Sequence, residues 1–207
     1  HDQFPDHAIF SEEAAEEINL GAPYRWVIDP IDGTRNFAAG IPFWCVLIAV
    51  TKNNDAILGA VYVPFGDQLF FAAKGGGATL NDIPIRVNQQ KNIDFAFGHI
   101  NRSWRRPHTE TFTKICSWFI EKTKARTGNY STILPTCYIA SGGVDFIVTN
   151  GGHDHDYLAP TLIAREAGAL ATNLHGTDWQ PGQSDLIVAN PTLHAEIMRA
   201  LQTNNLL

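Results

Sequence analysis

No stretch of this sequence is both long enough and uncharged enough to cross a bilayer as a helix, which argues against a membrane-spanning protein. Positive charge is in short supply. Fifteen Lys and Arg against 21 Asp and Glu give a net charge of −6, which disfavours a nucleic-acid polymer or an anionic membrane as partner. An anionic small substrate stays open, because bound divalent cations reverse the local field. Cysteine is scarce: Cys45, Cys116 and Cys137 are widely spaced, odd in number and form no CxxC or other zinc spacing. That pattern reads as reduced thiols in a cytoplasmic protein. Gly75-Gly76-Gly77 lacks the Lys-Ser/Thr that a phosphate-binding loop needs, so it reads as a flexible turn before Asn81. The one basic cluster, Asn101-Arg102-Ser103-Trp104-Arg105-Arg106-Pro107, has a single aromatic among three arginines. This is a weak nucleic-acid signal and reads as a solvated loop, with approach to a phosphate substrate or a second subunit left open.

What is present suits a folded enzyme. In 207 residues, 44% hydrophobic and 17% charged residues are globular values and suffice for one domain with a real core. The informative stretch is Trp26-Val27-Ile28-Asp29-Pro30-Ile31-Asp32-Gly33-Thr34. Trp26 to Ile28 are strand formers. Pro30 fixes its own φ and drives Asp29 to extended geometry, which predicts that the strand ends there. Gly33 is free to adopt conformations closed to other residues, and Thr34 suits a helix start. Asp29 and Asp32 then lie together at a strand end, where like charges repel unless a hard divalent cation sits between them. Backbone N–H groups at a helix start are a seat for phosphate. A plain turn of Asp, Pro and Gly is the alternative.

A second centre is Gly151-Gly152-His153-Asp154-His155-Asp156, followed by a helical pattern that stops at Gly168, with Asp156 expected as N-cap. His153, Asp154 and His155 raise a rival reading, a transition-metal site. Asp6 to Glu13 is a short extended run closing on two acids.

Asp29-Pro30-Ile31-Asp32-Gly33-Thr34 closely resembles the Asp-Pro-Ile-Asp-Gly-Thr signature of the inositol monophosphatase family, magnesium-dependent and lithium-sensitive sugar-phosphate phosphatases. Ser11-Glu12-Glu13 is similar to the family's Gly-Glu-Glu. The run from Asp156 to Ala164-Arg165-Glu166-Ala167-Gly168 resembles its second motif, and Phe37, Gly40, Pro42 and Phe43 also match. The resemblance implies metal ligation by Glu12, Asp29, the Ile31 carbonyl, Asp32 and Asp156. It implies phosphate held on the Gly33 and Thr34 amides, substrate contact at Ser131 and Asp156, and catalysis by Thr34, Glu12 and Asp32 with two or three Mg²⁺. Departures are His155 for Trp, Ala169 for Gly, Tyr130 for the Gly before Ser131, and Thr149 for an acid near the leaving group.

The fold so implied is mixed α/β, a layered α-β-α-β-α sandwich of the inositol monophosphatase and fructose bisphosphatase type. It forms a single catalytic domain over 1–207, with an antiparallel α+β half (1–125) and an α/β half (126–207). His1-Asp2-Gln3-Phe4-Pro5 is no usual start. The resemblance leads us to expect a preceding segment of helices carrying an Asp partner for Thr34. A homodimer acting on a small phosphorylated substrate is the further expectation. Alternatives are a histidinol-phosphate or nucleotide 3′-phosphate phosphatase on the same scaffold, or a non-catalytic phosphate-binding protein. Patterning predicts strands over Phe43–Thr51, Ala56–Val63, Gln68–Ala73, Val144–Thr149 and Asp185–Asn190. It predicts helices over Thr109–Lys124, Ser131–Ser141 and Thr192–Gln202. Glu12, Asp29, Asp32 and Asp156 are expected to converge on one pocket; without metal they should repel, so that at least one has a raised pKa or the Glu12 and Asp156 segments are loosely held.

Overall fold

The computed structural model describes residues 3–102, 108–130 and 132–207. β1 (Ala8–Ser11) pairs in parallel with β2 (Tyr24–Asp32), which runs into the short helix α1 (Thr34–Ala38). β2 does not end at Asp29, as its proline suggested. From the pair Asp29–Leu47 to the pair Asp32–Cys45, β2 advances three residues while its partner advances two, so a bulge absorbs the extra residue. Pro30 is tolerated because β1 pairs only as far as Ile28, leaving no ladder donor to lose on that side.

β3 (Cys45–Lys52), β4 (Asp55–Val63), β5 (Gln68–Ala73), β6 (Ala78–Leu80) and β7 (Ile83–Ile85) complete a seven-stranded sheet in sequence order. All pairs after the first are antiparallel, as the predicted meander requires. The glycine-rich turn between β5 and β6 holds a protein carboxylate: the Gly75 and Gly77 amides donate to Glu166 at 2.8 and 2.9 Å.

β8 (Phe97–Arg102), α2 (His108–Lys122), β9 (Arg126–Gly128), α3 (Pro135–Ala140), β10 (Phe146–Asn150), α4 (Asp154–Glu166), β11 (Leu170–Thr172), β12 (Asp185–Ala189) and α5 (Pro191–Thr203) follow. The second sheet has the order β11-β12-β10-β8-β9 and mixes parallel and antiparallel pairs. β8 joins it by pairing in parallel with β10, so the change of sheet falls between Ile85 and Phe97 rather than at residue 125. α3 is shorter than expected, because its proline is accommodated at the first helical position and the helix begins there.

The layers follow from the strand alternation. On β10, Ile147 faces one core with Leu186 and Val188 of β12, while Phe146 and Val148 face the other with Ile187 and Ala189. The first core holds α3 and α4 between the sheets, and the second seats α2 and α5 on the far side. Tyr157 to Ala164 of α4 are all buried. The architecture is the expected layered sandwich, here as sheet, helices, sheet, helices among the described residues. The other face of the first sheet leaves Tyr62, Leu69 and Phe71 partly exposed.

Candidate active site

Three elements deliver the acidic side chains to one place. The bulge at the end of β2 brings Asp29 and Asp32, which would otherwise face opposite ways, toward the same cavity. Glu12 follows β1, where its N–H donates to the Ile28 carbonyl at 3.0 Å. The N-terminus of α4 supplies Asp156. Glu12, Asp29, Ile31, Asp32, Gly33, Thr34 and Asp156 line one cavity of about 400 Å³, as expected, together with Arg35, Asn101, Arg102 and Asn129. Carboxylate oxygens of Asp29, Asp32 and Asp156 all lie within 4.8 Å of one another.

Each carboxylate is held by N–H or O–H donors. Asp29 Oδ1 accepts from the Ile31 amide at 2.9 Å. Asp32 Oδ2 accepts from the Thr132 hydroxyl, from the Ile133 amide at 2.8 Å and from the Cys45 thiol at 3.6 Å. Asp156 Oδ2 accepts from the His153 amide at 2.6 Å. The helix therefore starts from His153, and Asp156 is its third residue rather than its N-cap. A carboxylate there still suits the positive end of the helix.

Burial dominates the electrostatics. Asp29 and Asp32 are 2% and 8% exposed, and none of the three pairs with a Lys or Arg among the described residues. Desolvation, then the charges of Asp32 and Glu12, push Asp29 up to about 8. Desolvation pushes Asp32 up to about 7 against the donation from Thr132, with the Asp156 charge adding to the rise. Asp156 is raised by burial against the His153 amide. Three oxygen donors this close, each resisting ionisation, fit a hard divalent cation such as Mg²⁺, which takes carboxylates and supplies the missing positive charge.

Gly33 turns the chain from strand to helix at φ +91°. A Cβ there would lie 3.2–3.3 Å from the Phe43 carbonyl, Trp44 and Thr132, so the position excludes larger residues on two counts. Thr34 is exposed, with its hydroxyl donating to the Ile31 carbonyl at 3.5 Å.

The histidine reading does not hold together. Among the described residues the one group of three metal-capable side chains is Asp29, Asp32 and Asp156. Asp154 instead accepts from the Gly182 amide at 2.6 Å. His155 Nε2 lies 3.7 Å from Glu12 and 3.8 Å from Asp156, with its ring stacked on Phe10. Ser131 and residues 103–107 of the basic cluster lie outside the described residues. Asn101 and Arg102 belong to β8 and line the cavity, so for them the solvated-loop reading is corrected. Tyr130 packs on Phe43 at 5.0 Å between ring centres, while its neighbour Asn129 lines the cavity. Thr149 is buried and shares a 3.4 Å hydrogen bond with the Tyr157 hydroxyl. It lines a smaller recess of about 170 Å³ that shares Asp32, Asn101, Arg102 and Asp156 with the main cavity. Sequence reasoning missed Thr132 and Cys45 as supports of Asp32. The one available signal was Thr132's place beside Ser131.

Comparison with known proteins gives the family. A Nus factor SuhB of Vibrio cholerae is 39% identical over 191 residues, covering 90% of this chain and 70% of that protein. A fructose-1,6-bisphosphatase/inositol-1-monophosphatase of Aquifex aeolicus is 34% identical over 199 residues, covering 95% and 73%. The crystal structure of extragenic suppressor protein SuhB from Bartonella henselae superposes with a TM-score of 0.89 at 28% identity, over 97% of this chain and 77% of that one. The family model described as the inositol monophosphatase family matches residues 1–206. With the acidic cluster at the end of β2, the layered fold and this match in agreement, the chain belongs to the inositol monophosphatase family.

Proposed function

We propose that this chain hydrolyses a small phosphate monoester, such as an inositol monophosphate, in a Mg²⁺-dependent reaction. That it is a phosphoric monoester hydrolase follows from its family. The finer reading is carried by one observation: the oxygen-only cluster of Asp29, Asp32 and Asp156 in a cavity that also holds Glu12, Gly33 and Thr34. Glu12, Asp29, the Ile31 carbonyl, Asp32 and Asp156 would hold two or three Mg²⁺. When bound, the ions supply a water of lowered pKa and neutralise charge on the phosphate and the leaving oxygen.

The protein groups do the positioning. Gly33 and Thr34 stand where the first N–H groups of α1 have no helical acceptor, and they would receive phosphate oxygens. Thr34 Oγ1 would orient the attacking water, and the exposed Glu12 would accept its proton at a carboxylate oxygen. Asp32 is kept in place by Thr132, Ile133 and Cys45. Asp156 lines the smaller recess, which would take the leaving group, and would accept a hydrogen bond from a substrate hydroxyl; the resemblance adds Ser131 as a further contact. Thr149, Asn101, Arg102 and Asn150 would then decide which alcohol is accepted.

The resemblance extends the proposal to Li⁺ inhibition, a homodimer and a cytoplasmic location. Among the described residues no helix is long and apolar enough to cross a membrane. The name of the Vibrio cholerae relative favours a second reading, a Nus factor. Release of inorganic phosphate from inositol-1-phosphate, histidinol phosphate, fructose bisphosphate and adenosine 3′,5′-bisphosphate, with Mg²⁺ and with EDTA, tests the catalytic reading. Turnover that needs Mg²⁺ and falls with Li⁺ is expected; full activity in EDTA overturns the mechanism.

A further inference from the structure

A cavity of about 560 Å³, larger than the acidic one, lies between the β3–β4 turn, Lys74, α4 and the segment Trp179–Pro181. It shares no lining residue with the acidic cavity. Its volume is that of a small-molecule site, and Leu158, Leu162 and Trp179 give it an apolar wall. Its charged lining is balanced, with Lys74 and Arg165 against Asp55 and Glu166.

Three of these four charges are already engaged. Lys74 pairs with Asp55, and Glu166 accepts from the Gly75 and Gly77 amides. Arg165 is different. Its Nη2 donates to the carbonyls of Ala171 at 3.0 Å and Trp179 at 2.8 Å. No carboxylate lies at ion-pair distance from it among the described residues; burial lowers its pKa, against the charges of Asp178 and Asp55 further off. Among the described residues Nε and Nη1 make no hydrogen bond and keep donors to offer. One helical turn away on the same face, Thr161 is 1% exposed, and its hydroxyl has no hydrogen-bond partner among the described residues. A buried hydroxyl without a partner is costly, and such groups in native proteins are normally satisfied.

We propose that this cavity is a second ligand site, for a small organic monocarboxylate with an apolar body, held by Arg165 and the Thr161 hydroxyl. A cation with no carboxylate at ion-pair distance offers a place for one negative charge. A phosphate dianion would bring a second charge into a lining that already holds two carboxylates. The apolar wall selects a carbon body over a bare inorganic anion.

Benzoate is the probe, and the indole N–H of Trp179, which donates to the Gln183 carbonyl at 3.1 Å beside the cavity, is the reporter. Titration followed by nuclear magnetic resonance should shift that indole signal saturably, while inorganic phosphate leaves it unmoved. Arg165→Met should abolish the shift. Because Arg165 also ties two backbone carbonyls, two gentler variants are needed. Thr161→Val should weaken benzoate about five-fold, the loss of one ordinary hydrogen bond. Ala56→Trp fills the cavity from β4 and should abolish binding. Absence of a saturable shift overturns the proposal. So does a shift that survives Ala56→Trp, or one confined to the amides around Asp29, Asp32 and Gly33, which would put the anion in the acidic cavity.

Discussion

The carboxylate of Asp32 on β2 is held by the hydroxyl of Thr132, one hundred residues further along the chain. The same hydroxyl accepts from the Leu134 amide at 3.2 Å, so it acts as a relay with one fixed direction. Asp32 Oδ2 is thereby held by three protein donors, the Thr132 hydroxyl, the Ile133 amide and the Cys45 thiol. Thr132→Val keeps the shape and removes the relay. Supports of this kind are typically worth 10- to 100-fold in metal affinity or activity. We expect a drop of about that size in apparent Mg²⁺ affinity, with an unchanged circular dichroism spectrum, checked by Mg²⁺ titration of phosphate release.

Asp32→Asn removes one of three crowded negative charges and keeps the side-chain volume. Turnover should be lost and the fold retained. In EDTA above neutral pH the variant should melt no lower than the parent, because a buried carboxylate no longer has to ionise there. Calorimetry together with the phosphate assay checks both halves, and retained turnover would remove Asp32 from the mechanism.

Stability of the metal-free protein should fall as pH rises from about 4 to about 8. The sign follows from the raised pKa values of Asp29 and Asp32, about 8 and about 7 against 3.8 in the unfolded chain. Across that window the native chain holds protons that the unfolded chain has released, so raising the pH favours unfolding. Mg²⁺ needs the deprotonated ligands, so its stabilising effect should grow over the same range. Melting temperatures at a series of pH values, with and without Mg²⁺, measure both slopes.

Gly33→Ala places a Cβ against backbone and Trp44 at a residue of positive φ. A loss of about 1–3 kcal/mol is expected from backbone strain alone, with turnover reduced further because the Gly33 and Thr34 amides move. Denaturant unfolding gives the first quantity and the phosphate assay the second. Gly21, also at positive φ but with open space around it, provides the control for strain without crowding.

Much of the site was legible because its acids sit in compact local patterns. Asp29, Asp32, Gly33 and Thr34 share one turn, and Asp156 opens a strongly patterned helix. The bulge was not legible. Pro30 looked like a strand end, and only the short reach of β1 makes it harmless within β2. The N-cap was misplaced because Asp is a good cap by type, whereas His153 takes that place and Asp156 reaches back to its amide. Cys45 left no trace in the sequence, and Thr132 only its place beside Ser131, since their role exists only after the two sheets close on α3 and α4. Asn101 and Arg102 looked like loop because their basic neighbours dominated the local composition, while pairing with β10 makes them strand.

The burial of α4 between the two sheets has a consequence for how this protein can change over generations. Each added residue rotates a helix by about 100°. An insertion or deletion between Tyr157 and Ala164 would therefore set the core packing and the aim of Asp156 against each other. No slide of the helix could satisfy both, because its buried stripe is fixed against strands on either side. Length variation among descendants of this chain should thus be absent from α4 and collect in turns such as His175–Thr177, where the backbone faces solvent. The acidic site inherits its permanence from a helix most of whose residues never touch it.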